Sequence, residues 1–250
     1  MRACVVIPHR RHRRLLDGAL AAVAGWPVVV VDDTDEGLGE VAARVQRLGG
    51  GQGFAVAANA GLARAAREGF DWAILLNDDA TPEPGCLEAM LAACGPGVGA
   101  VGPLILGPEG VESAGLRYSV RTGRLRQQVV APSGLREVDA LSGACLLLST
   151  AERFDEAFRH GMEDVELSLR LRARGLRLLL EPRARCRHQG GGTVHRRSRE
   201  ATRHALAGHL RLVGDSSLRR GFVVALALAQ VAREGGPAER LLGVWEGWRG

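Results

Sequence analysis

Short apolar runs alternate with segments of helical periodicity through the first hundred residues. Residues 4–7, 28–31 and 73–76 are apolar runs that end at proline, aspartate or asparagine, which is typical of buried strands ending in turns. The run 28–31 is too continuously apolar to have a solvent-facing side, which indicates a strand inside a parallel sheet. Residues 15–23 have helix formers and an apolar face. The alternation predicts an α/β fold with a doubly wound, mostly parallel sheet.

The remaining elements of the first half are predicted from helix formers and glycine positions. We expect a helix over 38–48 closed by three glycines, a short strand at 54–56, a helix opened by Asn59 and running to about Glu68, a helix near 84–94, and a small strand at 99–102.

After residue 105 the pattern predicts a mixed half. A hairpin around Thr122-Gly123 is expected within 117–130, a buried strand over 141–148, a closing strand over 176–180 and a basic, glycine-rich turn over 185–193. Residues 163–171 have the period of a strand, but their composition and the Glu166–Arg170 spacing favour a helix. We predict one domain over 1–215, with halves 1–105 and 106–215, and a helical segment over 216–250.

Composition and charge limit the classes of molecule that the chain is expected to bind. The chain has 250 residues, a net charge of +5, and arginine as its sole basic residue apart from histidine. Arginine favours phosphate contacts, although a GC-rich genome would also give arginine in place of lysine. Aromatic residues make up 4% of the chain, and no nucleic-acid recognition motif is present. We therefore expect no nucleic-acid partner.

The cysteines and the amino-terminal run indicate a cytoplasmic protein. Five scattered cysteines, mostly within apolar runs, form neither a metal spacing nor a disulfide framework, so they are expected to be small core residues. The apolar run after Met1 is too short for a signal peptide and stops at Pro8.

Carboxylates follow two of the predicted strands. Asp32 and Asp33 end the second strand, and Asn77, Asp78 and Asp79 end the central one. Ligands of doubly wound sheets lie beyond the carboxyl ends of the strands, so these side chains predict a metal and nucleotide site. Two alternatives stay open: a solvated strand end for the first pair, and a helix cap for Asn77 or Asp79.

A second acidic pair begins the predicted helix in the other half of the chain. Glu163 and Asp164 lie where the helix dipole favours ionised carboxylates. They are candidates for acid–base chemistry outside the metal cluster, and simple helix caps are the alternative.

An ordered set of short motifs resembles family 2 glycosyltransferases, especially the bacterial rhamnosyltransferase-like branch, over residues 3–215. The set comprises Pro8 at the first strand end, Asp32-Asp33, the segment 53–61, the segment 75–79, Ser142-Gly143-Ala144, Glu163-Asp164 and the segment 188–193. The resemblance implies a single GT-A-type domain with a nucleotide-binding half and an acceptor half, Mn²⁺ or Mg²⁺ as cofactor, and inversion at the anomeric carbon.

The resemblance also implies a role for each matching residue. Asp164 is expected to be the general base and Glu163 to orient the acceptor or the base. The metal is expected at Asp79 with assistance from His188, for which a surface histidine is the alternative. The nucleotide is expected to contact Pro8, Asp32, Asp33, Asn59, Asn77 and Asp78, with a helix cap as the alternative for Asn59.

The implied function is an inverting, metal-dependent transfer from a UDP- or dTDP-sugar to a hydroxyl of a glycan, a lipid-linked sugar or a small molecule. Pro8-His9-Arg10 departs from the family pattern at the first strand end, which leaves open a non-catalytic nucleotide-sugar-binding or scaffold protein. Arg10 to Arg14 stand where a dinucleotide oxidoreductase needs its glycine motif, which disfavours that class.

The last segment has an apolar stretch from Phe222 to Ala232, about half the length of a membrane span. Leu241, Leu242, Trp245 and Trp248 then recur among charges. This pattern suits an amphipathic helix in peripheral contact with the inner face of the membrane. Packing against the catalytic domain or a homodimer partner is the alternative, and the weakly basic polar face favours it.

Overall fold

The computed structural model describes residues 2–119, 121–158, 161–189, 198–233 and 238–249, which form twelve strands and seven helices. The strands are β1 (Ala3–His9), β2 (Val28–Asp32), β3 (Arg44–Arg47), β4 (Trp72–Leu76), β5 (Ala80–Pro82), β6 (Val98–Gly107), β7 (Gly110–Ser113), β8 (Leu116–Tyr118), β9 (Leu125–Gln127), β10 (Arg136–Glu137), β11 (Cys145–Ser149) and β12 (Arg177–His188). The helices are α1 (Arg13–Ala22), α2 (Phe54–Arg67), α3 (Cys86–Ala92), α4 (Glu163–Ala173), α5 (Arg199–Val213), α6 (Ser217–Arg233) and α7 (Ala238–Arg249).

The main sheet has the strand order β10-β12-β6-β11-β4-β1-β2-β3, with β5 paired to β12 and β7 to β6. Strands β4, β1, β2 and β3 are parallel to one another. Strand β11 runs antiparallel to both of its neighbours, and β12 is parallel to β6. The predicted α/β fold, parallel in its first half and mixed in its second, is therefore confirmed. The predicted hairpin is also present as β8 and β9.

Side chains alternate between the two faces of the sheet and form two core layers. In β1, Cys4 and Val6 face the layer that contains α2 and α4, whereas Val5 and Ile7 face the layer that contains α1 and α3. Helix α2 lies so close to β1 that a Cβ atom on Gly61 would come within 2.2 Å of a Val6 methyl group. Glycine at this position thus permits the close helix–sheet contact.

The predicted helix over 38–48 is wrong. These residues form a loop followed by the edge strand β3, which pairs in parallel with β2. Gly37 and Gly39 have positive φ angles of 93° and 65°, and Arg13 donates hydrogen bonds to the carbonyl groups of Leu38 and Glu40. The unpaired edge of β2 and these tertiary bonds outweigh the local helix propensity.

The predicted strand at 54–56 is also wrong, because these residues are the first turn of α2. Asn59 therefore lies inside the helix and does not open it. The turn before the helix is held by Asp33, whose carboxylate accepts hydrogen bonds from the backbone N–H groups of Gln52 and Gly53. This long-range contact, which no local pattern reveals, places the helix start five residues earlier than expected.

The helix over Glu163–Ala173 is confirmed, and the Glu166–Arg170 ion pair within it has an N···O distance of 2.8 Å. The turn predicted over 185–193 is wrong in its first part, because Arg185 to His188 continue β12. Residues 186–188 pair with β5 and residues 185–187 pair with β6, which extends the strand. Residues 190–193 of that motif lie outside the described residues.

The carboxyl-terminal helices α5, α6 and α7 share a small apolar cluster of their own, which includes Leu206, Val223 and Val244. No helix in the described ranges is long and apolar enough to cross a membrane. The five cysteines are free, and all except the half-buried Cys94 are buried, as expected for core residues. Burial raises the pKa of Cys4 to about 12, in keeping with an unreactive thiol.

Candidate active site

Strands β1, β2 and β4 end at the same edge of the sheet, and a cavity of about 640 Å³ opens there. Helix α4 and the carboxyl end of β12 supply further parts of its wall. All of the site residues predicted from the sequence except Asp32 and Asn59 line this cavity: Pro8, Asp33, Asn77, Asp78, Asp79, Glu163, Asp164 and His188.

One side of the cavity is built around Asp33. Its two carboxylate oxygens accept hydrogen bonds from the N–H groups of Gln52 at 3.0 Å and Gly53 at 3.2 Å. Pro8, at the end of β1, and Phe54, in the first turn of α2, line the same side. Backbone, a proline ring and an aromatic ring together form a surface suited to a flat ring such as a nucleobase.

Asp32 lies behind this wall and is buried. Its carboxylate accepts hydrogen bonds from Thr34 and from the N–H group of Leu38, and it forms an ion pair with Arg47. Burial by itself would raise the pKa of Asp32, but the hydrogen bonds and Arg47 lower it overall. In this structure Asp32 holds the loop that follows β2.

Asn59 also lies away from the cavity lining. Its amide group donates hydrogen bonds to the carbonyl of Phe154 and to Glu156, and its oxygen accepts one from the N–H group of Phe154. Asn59 neither caps α2 nor reaches the cavity. It fastens the 154–156 loop to the middle of α2.

Asp78 contacts a histidine that the sequence reasoning did not assign to the site. His9 Nδ1 lies 2.6 Å from Asp78 Oδ2, and both side chains are buried. The strand register accounts for the pair, because Val6 pairs with Leu75 and each chain then runs three residues further. Extending the pairing of β1 with β4 beyond the two strand ends would have identified His9.

Asp79, His188 and Glu112 form a chain of contacts on the next part of the wall. His188 Nε2 lies 3.2 Å from Asp79 Oδ1, and His188 Nδ1 lies 3.2 Å from Glu112 Oε1. The pairing of β5 with β12 aligns Ala80 with His188 and so brings Asp79 beside the histidine. Glu112 comes from β7 and carries no distinguishing pattern in the sequence.

The two acids determine the charge of His188. Burial favours the neutral ring, but hydrogen bonds and charge interactions with Asp79 and Glu112 outweigh burial and raise the pKa of His188 to about 9. The imidazolium ion therefore supplies positive charge between two carboxylates at neutral pH. That position, next to Asp79, is where a bound cation would also be favoured.

Glu163 and Asp164 lie on another part of the wall, at the start of α4. Asp164 Oδ2 accepts a hydrogen bond of 2.8 Å from the N–H group of Gly143, and Oδ1 accepts one from Val165. A Cβ atom on Gly143 would lie 3.2 Å from the Asp164 Cβ, so the small residue allows this close approach. The residue that precedes the helix is Met162, whose φ angle is 73° and which makes no side-chain cap.

Both acids of this pair hold protons more tightly than usual. Burial, followed by the charge of Asp164, raises the pKa of Glu163 to about 8. Burial also raises the pKa of Asp164, opposed by its backbone hydrogen bonds from Gly143 and Val165. The buried Glu163 Oε2 has no hydrogen-bond partner in the described part of the chain. A carboxyl group with this environment at a cavity wall is typical of acid–base sites.

Basic side chains also line the cavity, together with Glu200. Arg10 and Arg11 follow β1, while Arg203 and His204 reach the lining from α5. Arg10 also bonds to the carbonyl of Asp33 at 2.6 Å. Guanidinium groups in the lining of a cavity suit phosphate groups, since they donate several hydrogen bonds in a fixed geometry.

Comparison with known families decides the classification. The sequence model of the family described as glycosyltransferase-like family 2 matches residues 27–207, which is most of the chain. The chain belongs to this family. The match includes β2, β4, α4 and β12, and therefore most of the elements that build the cavity.

Named relatives of this family 2 chain occur in Mycobacterium tuberculosis. The N-acetylglucosaminyl-diphospho-decaprenol L-rhamnosyltransferase of that organism is 33% identical over 165 residues, which cover 56% of this chain and 52% of the relative. The pre-mycofactocin glycosyltransferase is 33% identical over 202 residues, which cover 74% of this chain and 42% of the relative. The chain thus spans about half the length of these relatives, and the likeness to a bacterial rhamnosyltransferase-like branch is confirmed.

Solved structures with the same fold include two glycosyltransferases. GalNAc-T7, solved with UDP, GalNAc and Mn²⁺, has a TM-score of 0.60 at 16% identity, and the alignment covers 94% of this chain and 57% of that one. The mannosyltransferase PcManGT from Pyrobaculum calidifontis, solved with GDP-Man and Mn²⁺, has a TM-score of 0.57 at 18% identity, with 96% and 78% covered. These likenesses confirm the GT-A-type fold of the family 2 chain.

Proposed function

We propose that this family 2 chain transfers a sugar from a nucleoside diphosphate donor to a hydroxyl acceptor, with inversion at the anomeric carbon. The observation that carries the proposal is that two chemically different acid pairs line a single cavity. Asp78 and Asp79 lie beside histidines, and Glu163 and Asp164 lie at the start of α4. An inverting transfer needs a charged region for the leaving diphosphate and a separate group that takes a proton from the acceptor.

We assign the nucleotide to the side of the cavity that holds Pro8, Asp33 and Phe54. Asp33 keeps the turn before α2 in place, and Gln52 and Gly53 of that turn line the cavity. Asp78, held by His9, follows along the wall and suits a ribose hydroxyl as a hydrogen-bond acceptor. Asn77 lines the cavity beside it.

The donor set beside His188 fits a divalent cation bound together with a diphosphate. Asp79 offers carboxylate oxygen, and His188 offers a ring nitrogen once the imidazolium has released its proton, and Mn²⁺ accepts both kinds of ligand. Among the described residues no group of three His, Cys, Asp or Glu side chains is arranged to hold an ion alone. Mg²⁺ and Mn²⁺ in such sites take one or two protein ligands and fill the rest with phosphate and water. When bound, the cation would neutralise the charge that grows on the leaving diphosphate.

Acceptor activation is assigned to the α4 pair. Asp164 is fixed by the N–H groups of Gly143 and Val165, so its carboxylate is oriented before substrate arrives. It accepts the proton of the attacking hydroxyl as the new glycosidic bond forms. Glu163, with a pKa of about 8, is largely protonated at neutral pH and donates a hydrogen bond that orients the acceptor or Asp164.

The base and the sugar of the donor, and the acceptor, are proposed by class. UDP- and dTDP-sugars are the expected donors, and a lipid-linked sugar is one acceptor class, as the name of the rhamnosyltransferase relative indicates for that protein. The test is hydrolysis of a panel of UDP-, dTDP- and GDP-sugars with Mn²⁺, Mg²⁺ or chelator, because transferases release sugar slowly to water. Cation-dependent release of one nucleoside diphosphate supports the proposal. Tight binding of a nucleotide sugar with neither hydrolysis nor transfer to any supplied acceptor would instead support a non-catalytic binding protein.

A further inference from the structure

Helix α6 has an exposed apolar face that extends along its length. Its members recur at helical spacing and include no charged side chain: Leu218, Gly221, Phe222, Ala225, Leu228, Ala229 and Ala232. The opposite face packs on the carboxyl-terminal cluster through Val223 and Val231. Leu218 is 89% exposed. A helix face of this kind, facing away from its own core, indicates contact with something apolar.

Helix α7 also has exposed apolar side chains on one face and a buried one on the other. Leu241, Leu242, Trp245 and Trp248 are exposed, whereas Val244 between them is buried. The Arg220 guanidinium lies over the Trp248 ring at 5.4 Å, which joins the first turn of α6 to the last turn of α7. Tryptophan and arginine with exposed apolar surface are typical of segments that lie at a membrane interface.

A basic groove adjoins the apolar face of α6. Arginines from the β8–β9 hairpin and from β10, namely Arg117, Arg124, Arg126 and Arg136, line a groove that also includes Phe222. All four are exposed. The acids of the groove are Glu137 and Asp139, and the latter forms an ion pair with Arg172 from α4. Phe222 belongs to both surfaces, so the apolar face and the positive charge are continuous.

We propose that α6, α7 and the β8–β9 hairpin dock this chain on an anionic lipid bilayer, with the apolar faces in the interface and the arginines on lipid phosphates. Charge selects this occupant over a second copy of the chain. A twofold dimer through this surface would place the four arginines of both copies in one interface, where the excess of positive charge is unfavourable. A bilayer supplies both an apolar layer and negative charge, and stable peripheral binding generally needs both.

The first test is flotation of the full chain with phosphatidylcholine vesicles, with and without phosphatidylglycerol, at low and high salt. We expect binding to the anionic vesicles that weakens with salt. Phe222→Glu should reduce partitioning roughly tenfold or more. Val45→Glu is its matched control, because Val45 on β3 is 38% exposed and Phe222 is 39% exposed. Leu218→Glu serves as a second variant if Phe222→Glu is unfolded by circular dichroism.

The second test measures how much the groove arginines contribute to vesicle binding. Arg124→Gln with Arg126→Gln should weaken partitioning roughly 25-fold, since each arginine near an anionic surface contributes about fivefold. Arg14→Gln with Arg67→Gln removes two exposed arginines elsewhere and should leave partitioning unchanged. Absence of vesicle binding by the parent, or equal binding by the groove and control variants, would overturn the proposal. So would a parent dimer in sedimentation velocity that Phe222→Glu converts to monomer without any vesicle binding.

Discussion

The two acid pairs of the cavity differ in what compensates their charge. Asp78 and Asp79 each contact an imidazole, at 2.6 Å and 3.2 Å, and the second imidazole also contacts Glu112. Asp164 is held by backbone N–H groups, and Glu163 lies beside it with a buried oxygen that makes no hydrogen bond among the described residues. The first pair therefore lies against imidazole rings, of which His188 is positively charged at neutral pH, whereas burial raises the pKa of both acids of the second pair.

This difference separates two chemical tasks within one cavity. A charged wall with a cationic partner suits the diphosphate, whose charge grows as the sugar leaves. A wall that holds protons tightly suits transfer of the acceptor proton. The strands explain the division, because Asp78 and Asp79 follow β4 in the parallel half and Glu163 and Asp164 begin α4 in the mixed half.

The largest effect is expected from Asp164→Asn. Loss of a general base should lower turnover roughly a hundred- to ten-thousand-fold. Asparagine can still accept the hydrogen bond from Gly143, so donor affinity and melting temperature should change little. Turnover, nucleotide affinity and melting temperature are measured together, with Asp17→Asn on α1 as an exposed control. A variant that keeps turnover within a few-fold of the parent, with only a lower melting temperature, would make Asp164 a structural residue.

Asp79→Asn should abolish the dependence of diphosphate binding on Mn²⁺. The substitution keeps the shape of the side chain but removes the charged oxygen next to His188. The loss of Mn²⁺ affinity should exceed the roughly 10- to 100-fold that follows when only a residue behind a metal ligand is lost. Calorimetry with UDP and dTDP, with and without Mn²⁺, measures this. Unchanged Mn²⁺-dependent affinity would show that the cation is held elsewhere.

Glu112→Gln should weaken Mn²⁺ binding by roughly 10- to 100-fold, because Glu112 contacts the Nδ1 atom of His188 and so orients the ring toward Asp79. Glu109→Gln is the matched control, since Glu109 lies exposed in the same hairpin. Free Mn²⁺ measured by electron paramagnetic resonance, in the presence of UDP, gives the affinity directly. If the two variants bind Mn²⁺ equally well, Glu112 contributes to the hairpin alone.

The strand ends and their acids could be predicted from the sequence because parallel strands place all their carboxyl ends at one edge. What could not be predicted was which of these side chains already form hydrogen bonds to other parts of the folded chain. Asp32 and Asp33 are neighbours with the same chemistry, yet one bonds to the loop after β2 and the other faces the cavity. Asn59 likewise bonds to Phe154, 95 residues away. Such choices depend on tertiary hydrogen bonds that leave no local pattern.

The same reason explains the errors in secondary structure. Residues 38–48 have helix formers, but residues 44–47 form a strand because they pair with the open edge of β2. The Asp33 carboxylate likewise moves the start of α2 to Phe54. By contrast, Glu163–Ala173 was predicted correctly because its composition, ion pair and closing glycine all favour one structure.

The smallest expected effect concerns the pH dependence of stability, and it tests whether Glu163 holds its proton at neutral pH. The pKa of Glu163 is about 8 in the folded chain, compared with 4.5 for the free side chain. The folded protein thus holds this proton more tightly than the unfolded chain does. The stability that this proton contributes is fully present below pH 4.5 and is lost as the pH rises to about 8.

Glu163→Gln removes this titration while preserving the size of the side chain. The free energy of unfolding of the variant minus that of the parent should therefore increase between pH 4.5 and about 8 and level off above. Its slope should not exceed about 1.4 kcal/mol per pH unit. Urea denaturation across this range measures it, and Glu88→Gln, on the exposed side of α3, is the control. A difference that stays constant with pH would mean that Glu163 ionises normally, and the contrast between the two acid pairs would then rest on Asp164 alone.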